Sequence, residues 1–397
     1  MSKKVMFVLG AGASIPCGMP TTKQISKCVF SGDGYMKGSV DAYYQGEPTV
    51  DHMGRPNEHV PRVSEAARII RDVIVACNSC YKRGRELTYE SLFDVAQQAR
   101  DDYQFVNDNS ALSPFHCLLQ PKVKDILAHR NGLRNEKWKY DKLLTELCTY
   151  IQCVVWHELE ILPSGFDGYN FLLEAVKDDS IRKCVGTLNH DTVLEAAFED
   201  SKLPFTVGFG PRSGDLSFWN PELFNEEGVT PVFKLHGTIN CFRYQKDPQK
   251  QSSVLTAICH SNDPWHARDS CGHMCTPFRA SPPLVIGDIV TKERQYREDI
   301  FADIFTEFNS CLRDTDAVVT VGYSWRDKAI NAELLSWIEQ SERKLVITVN
   351  DCDRFLRHCR FGLTIALEKY ERDGRISLHE CRAEELKWAD IKERVLN

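Results

Sequence analysis

The sequence predicts an α/β fold: a Rossmann-like parallel sheet with helices on both faces, plus a mostly helical inserted module. Three observations point there. Short apolar, β-rich runs recur along the chain, namely 5–9, 183–188, 232–235, 284–286, 317–321 and 345–349. Amphipathic helical patterns lie between them, which is the rhythm of strands buried on both faces. The first run, Val5-Met6-Phe7-Val8-Leu9, leads straight into the glycine turn Gly10-Ala11-Gly12-Ala13-Ser14.

That turn opens the sequence of elements. An apolar strand, glycines two apart and a helix-like stretch bring backbone N–H groups and a helix N-terminus toward a pyrophosphate, so a dinucleotide is the expected ligand. The hydride-transfer fingerprint is incomplete, because Ile15 stands where its third glycine belongs and Asp33 lies in a Ser-Gly-Asp-Gly loop instead of ending a second strand. The turn continues as Ile15-Pro16-Cys17-Gly18-Met19-Pro20-Thr21-Thr22, a loop able to fold over a ligand.

Residues 30–60 are rich in Gly, Pro, Tyr and Asp without a sustained period and read as a long loop or lid. From Arg62 the helical spacing of Val63, Ala66, Ala67, Ile70, Val73, Ile74 and Cys77 begins, and Tyr89, Leu92, Phe93 and Ala96 repeat it. A long helix is predicted over 138–162, with Leu143, Leu144, Leu147, Ile151, Val154 and Val155 on one face. The division expected is therefore 1–30 with 165–397 as the nucleotide-binding domain, and 31–164 as a helical insert or lid. After it come a helix through Phe171, Leu172 and Val176, the remaining strands, and helices near 327–340 and 352–371.

Composition narrows the class. The 397 residues are 42% hydrophobic and 26% charged, ordinary for a globular chain. A net charge of -7 opposes direct nucleic-acid binding and attachment to an anionic membrane. The first ten residues read as a strand, not a leader, and no apolar run approaches the roughly 20 residues of a membrane span. A cytoplasmic protein is expected, with its 16 scattered cysteines reduced. Cys77 and Cys80 have Cys-x-x-Cys spacing inside a helical pattern, where core packing is the reading preferred.

In an open parallel sheet, ligands sit beyond the carboxyl ends of the strands. The polar residues there are Gly10, Gly12 and Ser14; Asn189-His190-Asp191; His236-Gly237-Thr238; Gly322-Tyr323-Ser324; and Asn350-Asp351. Taken singly, each has a structural use. Asn189 and Asp191 could cap the helix beginning near Thr192, Ser324 could cap the one after it, and His236 could be a satisfied strand-end histidine. Asp327 and Asn331, four apart, could be solvated helix residues. Their convergence on one sheet edge is what points to a site.

The order of these pieces resembles the sirtuin superfamily, specifically its divergent prokaryotic sirtuin-like branch of NADases. The resemblance rests on G-A-G-A-S, T-L-N-H-D, K-L-H-G-T, V-G-Y-S-W-R-D-K-A-I-N and a late V-N-D, over about 1–25 and 167–351. It implies NAD+ held between a Rossmann-like domain and a smaller module. Gly10, Ala11, Gly12 and Ser14 would then line the pyrophosphate and adjoining ribose, and Ser324 and Asn350 the adenosine side. Thr21, Gly322, Asp327 and Asn331 join the same NAD-binding set. Asn189 and Asp191 would face the nicotinamide ribose and amide, with His236 matching the catalytic histidine; these three form the catalytic set.

Breaking the nicotinamide C–N bond builds positive charge on the ribose, so the leaving group must be oriented and a nucleophile aimed at the anomeric carbon. Asn189 can position a water, and His236 can accept its proton. The chain departs from protein-deacetylating sirtuins at Leu188, where they carry glutamine, and it lacks a regular pair of Cys-x-x-Cys motifs after His236-Gly237. Cys259, His260, His266, Cys271, His273 and Cys275 offer enough ligands for tetrahedral zinc but at irregular spacing. No metal is expected.

The function expected is a NAD+ glycohydrolase releasing nicotinamide and ADP-ribose, acting as the NAD-depleting effector of bacterial anti-phage defence. On the resemblance alone, homo-oligomerisation and a sensor or ATPase partner protein are also expected. Two alternatives are a NAD-dependent protein deacylase or ADP-ribosyltransferase, and a non-catalytic NAD or ADP-ribose-sensing assembly subunit. Asn189 and His236 argue against the last, since a binder needs neither.

Overall fold

The computed structural model describes residues 2–38, 42–46, 59–79, 87–106, 110, 112–128, 136–245, 254–287, 289–340, 342–358 and 361–396. In chain order the regular elements begin with β1 (Lys3–Leu9), α1 (Thr22–Ser31), β2 (Tyr35–Lys37), β3 (Tyr43–Gln45), α2 (His59–Ser79), α3 (Tyr89–Tyr103), α4 (Leu112–Leu119), α5 (Lys124–Ala128) and α6 (Glu136–Leu159). They continue with α7 (Asn170–Val176), β4 (Ile181–Thr187), α8 (Val193–Asp200), β5 (Phe205–Thr206), β6 (Leu216–Phe218), β7 (Thr230–Lys234), β8 (Cys241–Gln245) and β9 (Val254–Cys259). The last are α9 (Ile289–Gln295), α10 (Asp299–Arg313), β10 (Ala317–Val321), α11 (Lys328–Ile338), β11 (Lys344–Val349), α12 (Cys352–His358), α13 (Phe361–Tyr370), β12 (Ile376–Glu380) and α14 (Trp388–Leu396).

Among the described residues, seven strands form one sheet in the order β12-β11-β10-β1-β4-β7-β5, with every pairing parallel. Side chains alternate across it. Val5, Phe7 and Leu9 enter the core shared with α7, α8 and α14, while Met6 and Val8 enter the one shared with α10, α11 and α13. Both faces are therefore covered, which is why the strands read as continuous apolar runs instead of alternating ones. The chain order reverses around β1, with β10 on one side and β4 on the other. That switch point is where such sheets open a crevice. The helices α2, α3 and α6 share the first of these cores, so one continuous apolar body runs from the sheet into the helical segment.

Several expectations need correcting. The stretch 284–286 pairs in no ladder among the described residues; Val285 N–H instead donates to the His236 carbonyl at 3.0 Å. The helix expected directly after the glycine turn is two short 3-10 turns, 11–13 and 15–17, and α1 starts only at Thr22. Gly18 ends the second turn at φ 92°, and Pro16 supplies its start. The single helix expected over 352–371 is the pair α12 and α13. A small antiparallel sheet, β6-β9-β8, was not read from the sequence. Of the 30–60 lid, residues 39–41 and 47–58 lie outside the described residues, and β2 and β3 pair as a hairpin between. Cys80 also lies outside them, as does the Cys77 side chain. No helix among the described residues is long and apolar enough to cross a membrane.

Candidate functional site

At the switch point the β1 and β10 turns press together. Gly10 N–H donates to the Val321 carbonyl and Gly12 N–H to the Gly322 carbonyl, both at 3.0 Å, while Ala13 and Ser14 N–H close on Gly10 and Ala11. A Cβ on Gly10 would lie 2.6 Å from the Gly322 oxygen, and one on Gly12 2.7 Å from the Gly322 Cα. The glycines thus permit a backbone-to-backbone crossing, and these four amides are satisfied by carbonyls instead of being aimed at a phosphate. Ala11 is exposed at the lip of the turn, whereas Ser14 is 1% exposed.

Ser14 instead belongs to a buried network around Asn189, which follows β4. Asn189 Nδ2 lies 3.1 Å from the Gly10 carbonyl, 3.0 Å from Ser14 Oγ and 3.1 Å from Tyr169 OH. Ser14 Oγ and Tyr169 OH are 2.7 Å apart. A backbone carbonyl can only accept, so Gly10 fixes the amide orientation: nitrogen inward, Oδ1 on the other side. That Oδ1 is buried and meets no donor among the described residues. Burial, with the Asp191 charge nearby, holds the Tyr169 phenol well above its usual range, so it stays neutral.

His236, after β7, is the second centre. Its Nε2 lies 3.0 Å from Asp327 Oδ2, and both side chains are buried. Asp327 Oδ1 accepts from the Ala329 and Ile330 amides, capping α11, while Tyr296 OH donates to Oδ2 at 3.0 Å. Lys292 Nζ stands 3.7 Å from the same oxygen. Burial opposes a charge on Asp327, yet the His236 hydrogen bond, Lys292 and the α11 amides hold its carboxyl well below the usual carboxylate range. A carboxylate that accepts leaves the proton on His236 Nε2 and the lone pair on Nδ1. Burial, then the Lys292 ammonium, pushes the His236 pKa down against the pull of Asp327, so the imidazole is a neutral base.

His190 stands beside it, with Nδ1 2.9 Å from the His236 carbonyl and ring centroids 5.7 Å apart. Burial, His236, Lys292 and Lys234 hold it neutral as well. Asp191 Oδ1 accepts from Val193 N–H at 3.1 Å, a capping role, and its carbonyl accepts from Lys234 Nζ at 2.6 Å. Asn331 is locked inside the β10–α11 loop, donating to the Trp325 carbonyl and accepting from Tyr323 OH. Thr21 is the N-cap of α1, in a capping box with Gln24. Ser324 and Asn350 are exposed at the ends of β10 and β11; Asp327, not Ser324, caps α11.

The structure pairs Ser14 with Asn189 and His236 with Asp327 at four strand ends, with His190 beside His236, and adds residues that the sequence reading missed. Tyr169 precedes a helix and Lys292 and Tyr296 sit on or after one, so no strand-end rule reaches them. In the small-sheet region, Asp269, Cys271 and His273 place ligand atoms within 4.8 Å of one another, mostly exposed. Asp269 there accepts from the Cys271 and His273 amides, which makes the cluster a side-chain-closed turn.

Residues 183–358 match a family model described as a SIR2-like domain, a stretch running from β4 to α12. Asn189, Asp191, His236, Asp327, Asn331 and Asn350 all lie within the matched stretch. Among solved structures it is similar to a Sir2 homologue in complex with NAD, at 14% identity over 100% of this chain and 89% of that one, TM-score 0.36. It is also similar to Sir2 with a p53 peptide and NAD+, at 11% identity over 100% and 95% of the two chains, TM-score 0.36. No curated protein matches the sequence.

Proposed function

We propose that the chain is a NAD+ glycohydrolase. The observation that carries the reading is Asn189: its amide nitrogen is tied to the β1 turn, and its buried Oδ1 is an acceptor that no donor among the described residues meets. A buried acceptor without a donor costs about 1–3 kcal/mol, which makes it an expensive structural feature but a useful ligand contact. In this reading the oxygen takes a hydroxyl of the nicotinamide ribose or the attacking water. The SIR2-like match over 183–358 supports NAD+ as the substrate class.

The reaction follows from the two centres. Water oxygen bonds to the anomeric carbon as the C–N bond breaks, and the bonding pair stays on the nicotinamide nitrogen, neutralising the pyridinium. His236 Nδ1 takes the water proton, and Asp327 stabilises the imidazolium that forms. Asn189 orients the reacting ribose or water. Ala11, Ser324 and Asn350, exposed along the same edge, are the side of the crevice offered to the rest of the dinucleotide.

We further infer that this activity depletes NAD+ as an anti-phage effector, in a homo-oligomer with a sensor or ATPase partner protein. The support is the motif resemblance. The enzyme reading is tested by NAD+ turnover of the purified chain against Asn189→Ala and His236→Ala, with circular dichroism confirming the fold. Both substitutions should abolish turnover; turnover that survives either one removes that residue from the mechanism, and survival of both removes the site.

A further inference from the structure

Helix α3 meets α9 through three acidic side chains on one face. Glu90 lies 3.5 Å from Lys292 Nζ, Asp94 accepts from Thr291 Oγ1, and Asp101 pairs with Arg294. Spacings of four and seven residues place all three on a single stripe of α3. Asp94 is 9% exposed and Asp101 4%. Carboxylates are rarely buried unless paired, so Asp94 and Asp101 are built for α9 and not for solvent, while Glu90 stands half-buried at the start of the stripe. A Cβ on Gly287, whose φ is 122°, would lie 3.1 Å from Thr291 Cβ and 3.4 Å from Asp94 Oδ1, so the glycine leaves room for the Asp94–Thr291 contact.

The same helix α9 also touches the His236–Asp327 pair. Lys292 reaches Asp327 Oδ2 from within α9, and Tyr296, just past it, donates to the same oxygen. A continuous path therefore runs from α3 through Glu90 and Lys292 to Asp327 and His236. We propose that Glu90 and Lys292 are positioning residues for the His236–Asp327 pair, and that α3 is the element that holds them in place.

The inference rests on the NAD+ glycohydrolase reading for its meaning, though not for its test. Lys292 shares its charge between Glu90 and Asp327. While Glu90 balances it, Asp327 remains the acceptor for His236 Nε2–H. Without Glu90, Lys292 turns fully on Asp327 and competes with the imidazole. Without Lys292, Asp327 faces His236 with an unshared charge and draws a second proton onto the ring. The two losses act in opposite directions, which general loosening of the fold would not do. A partner that pulls α3 away would act as the first loss does, by withdrawing Glu90.

The groups facing His236 come from four further elements: Asp327 at the start of α11, Lys292 and Tyr296 at α9, Glu90 on α3 and His190 after β4. Only Glu90 and Lys292 are altered in the test. The experiment is NMR of the full chain carrying 15N-labelled histidine, with His236→Gln assigning the ring signals, recorded from pH 5 to 8 without NAD+. Lys292→Met should raise the His236 titration midpoint by about half a pH unit or more. Lys292→Arg should restore it, and Glu90→Gln should not raise it. The proposal is overturned if Lys292→Met leaves the His236 signals as in wild type, or if Glu90→Gln raises the midpoint equally. NAD+ turnover measured on the same samples separates the readings: no cleavage by wild type removes the glycohydrolase, while the titration still decides the role of Glu90 and Lys292.

Discussion

His236 Nε2 lies 3.0 Å from Asp327 Oδ2, although the two are 91 positions apart in the chain, and both side chains are buried. One residue follows β7 and the other caps α11 after β10, and since β1 and β4 lie between those strands, it is the β10–α11 connection that brings the two side chains together. Asp327 has two tasks, one per oxygen: Oδ1 caps the helix and Oδ2 orients the imidazole. Asp327→Asn keeps an oxygen for the cap, but its amide nitrogen cannot accept from Nε2–H. NAD+ turnover should fall by about 10²-fold or more, the usual weight of a positioned acid–base pair, with little loss of thermal stability. Steady-state rates beside a thermal melt check both halves.

Tyr169→Phe removes one hydroxyl from the Ser14–Asn189–Tyr169 network and no volume from the core. Ser14 Oγ and the Gly10 carbonyl still hold the Asn189 amide, so the fold should lose only about 1 kcal/mol. The amide gains freedom to tilt, and kcat should drop about tenfold with KM nearly unchanged. A fall in KM affinity alone would place Tyr169 in binding instead.

The crossing of the β1 and β10 turns makes a steric prediction. Gly10→Ala places its Cβ 2.6 Å from the Gly322 carbonyl oxygen, and Gly168→Ala drives its Cβ into the Ala13 carbonyl. Backbone cannot yield as a side-chain tip does, so each should cost about 1–3 kcal/mol or more in urea unfolding. Gly34→Ala, whose Cβ meets nothing within 4 Å, is the contrast. Its φ of 77° still disfavours a side chain, and its loss should be smaller than the other two.

Much of this was legible in the chain. The strands 5–9, 183–188, 232–235, 317–321 and 345–349 were visible because burial on both faces leaves unbroken apolar runs. Their polar ends gave Asn189 and His236 by the edge rule alone. What was not legible depends on packing between distant segments. Asp327 reads as one of two helix-face polars until α11 is set against β7, and Tyr169 and Lys292 carry no local mark. The glycine turn misled in part: its glycines serve a crossing with Gly322, a contact 310 residues away that spacing cannot reveal. The edge strand at 376–380 escaped notice because Ser377 and His379 interrupt its apolar run.

Acid should destabilise the protein through its paired histidines. Burial holds both His190 and His236 below the ordinary histidine value of 6.5, so the folded state resists protons that the unfolded chain accepts. Their contribution is whole above about pH 6.5 and is lost as pH falls through that value toward the folded pKa. While both rings stay neutral, the slope should reach about 1.4 kcal/mol per pH unit for each. Urea unfolding at pH 7.5, 6.5 and 5.5 measures it, and His190→Gln should roughly halve the histidine share.

If water is the acceptor of the ADP-ribosyl group, the stoichiometry of the products reveals it. Purified wild-type chain is incubated with NAD+, with and without an acetyl-lysine peptide, and nicotinamide and free ADP-ribose are counted. A glycohydrolase should release one free ADP-ribose for each nicotinamide, in amounts indifferent to the peptide. Nicotinamide released only with the peptide, or ADP-ribose retained on protein, would contradict it.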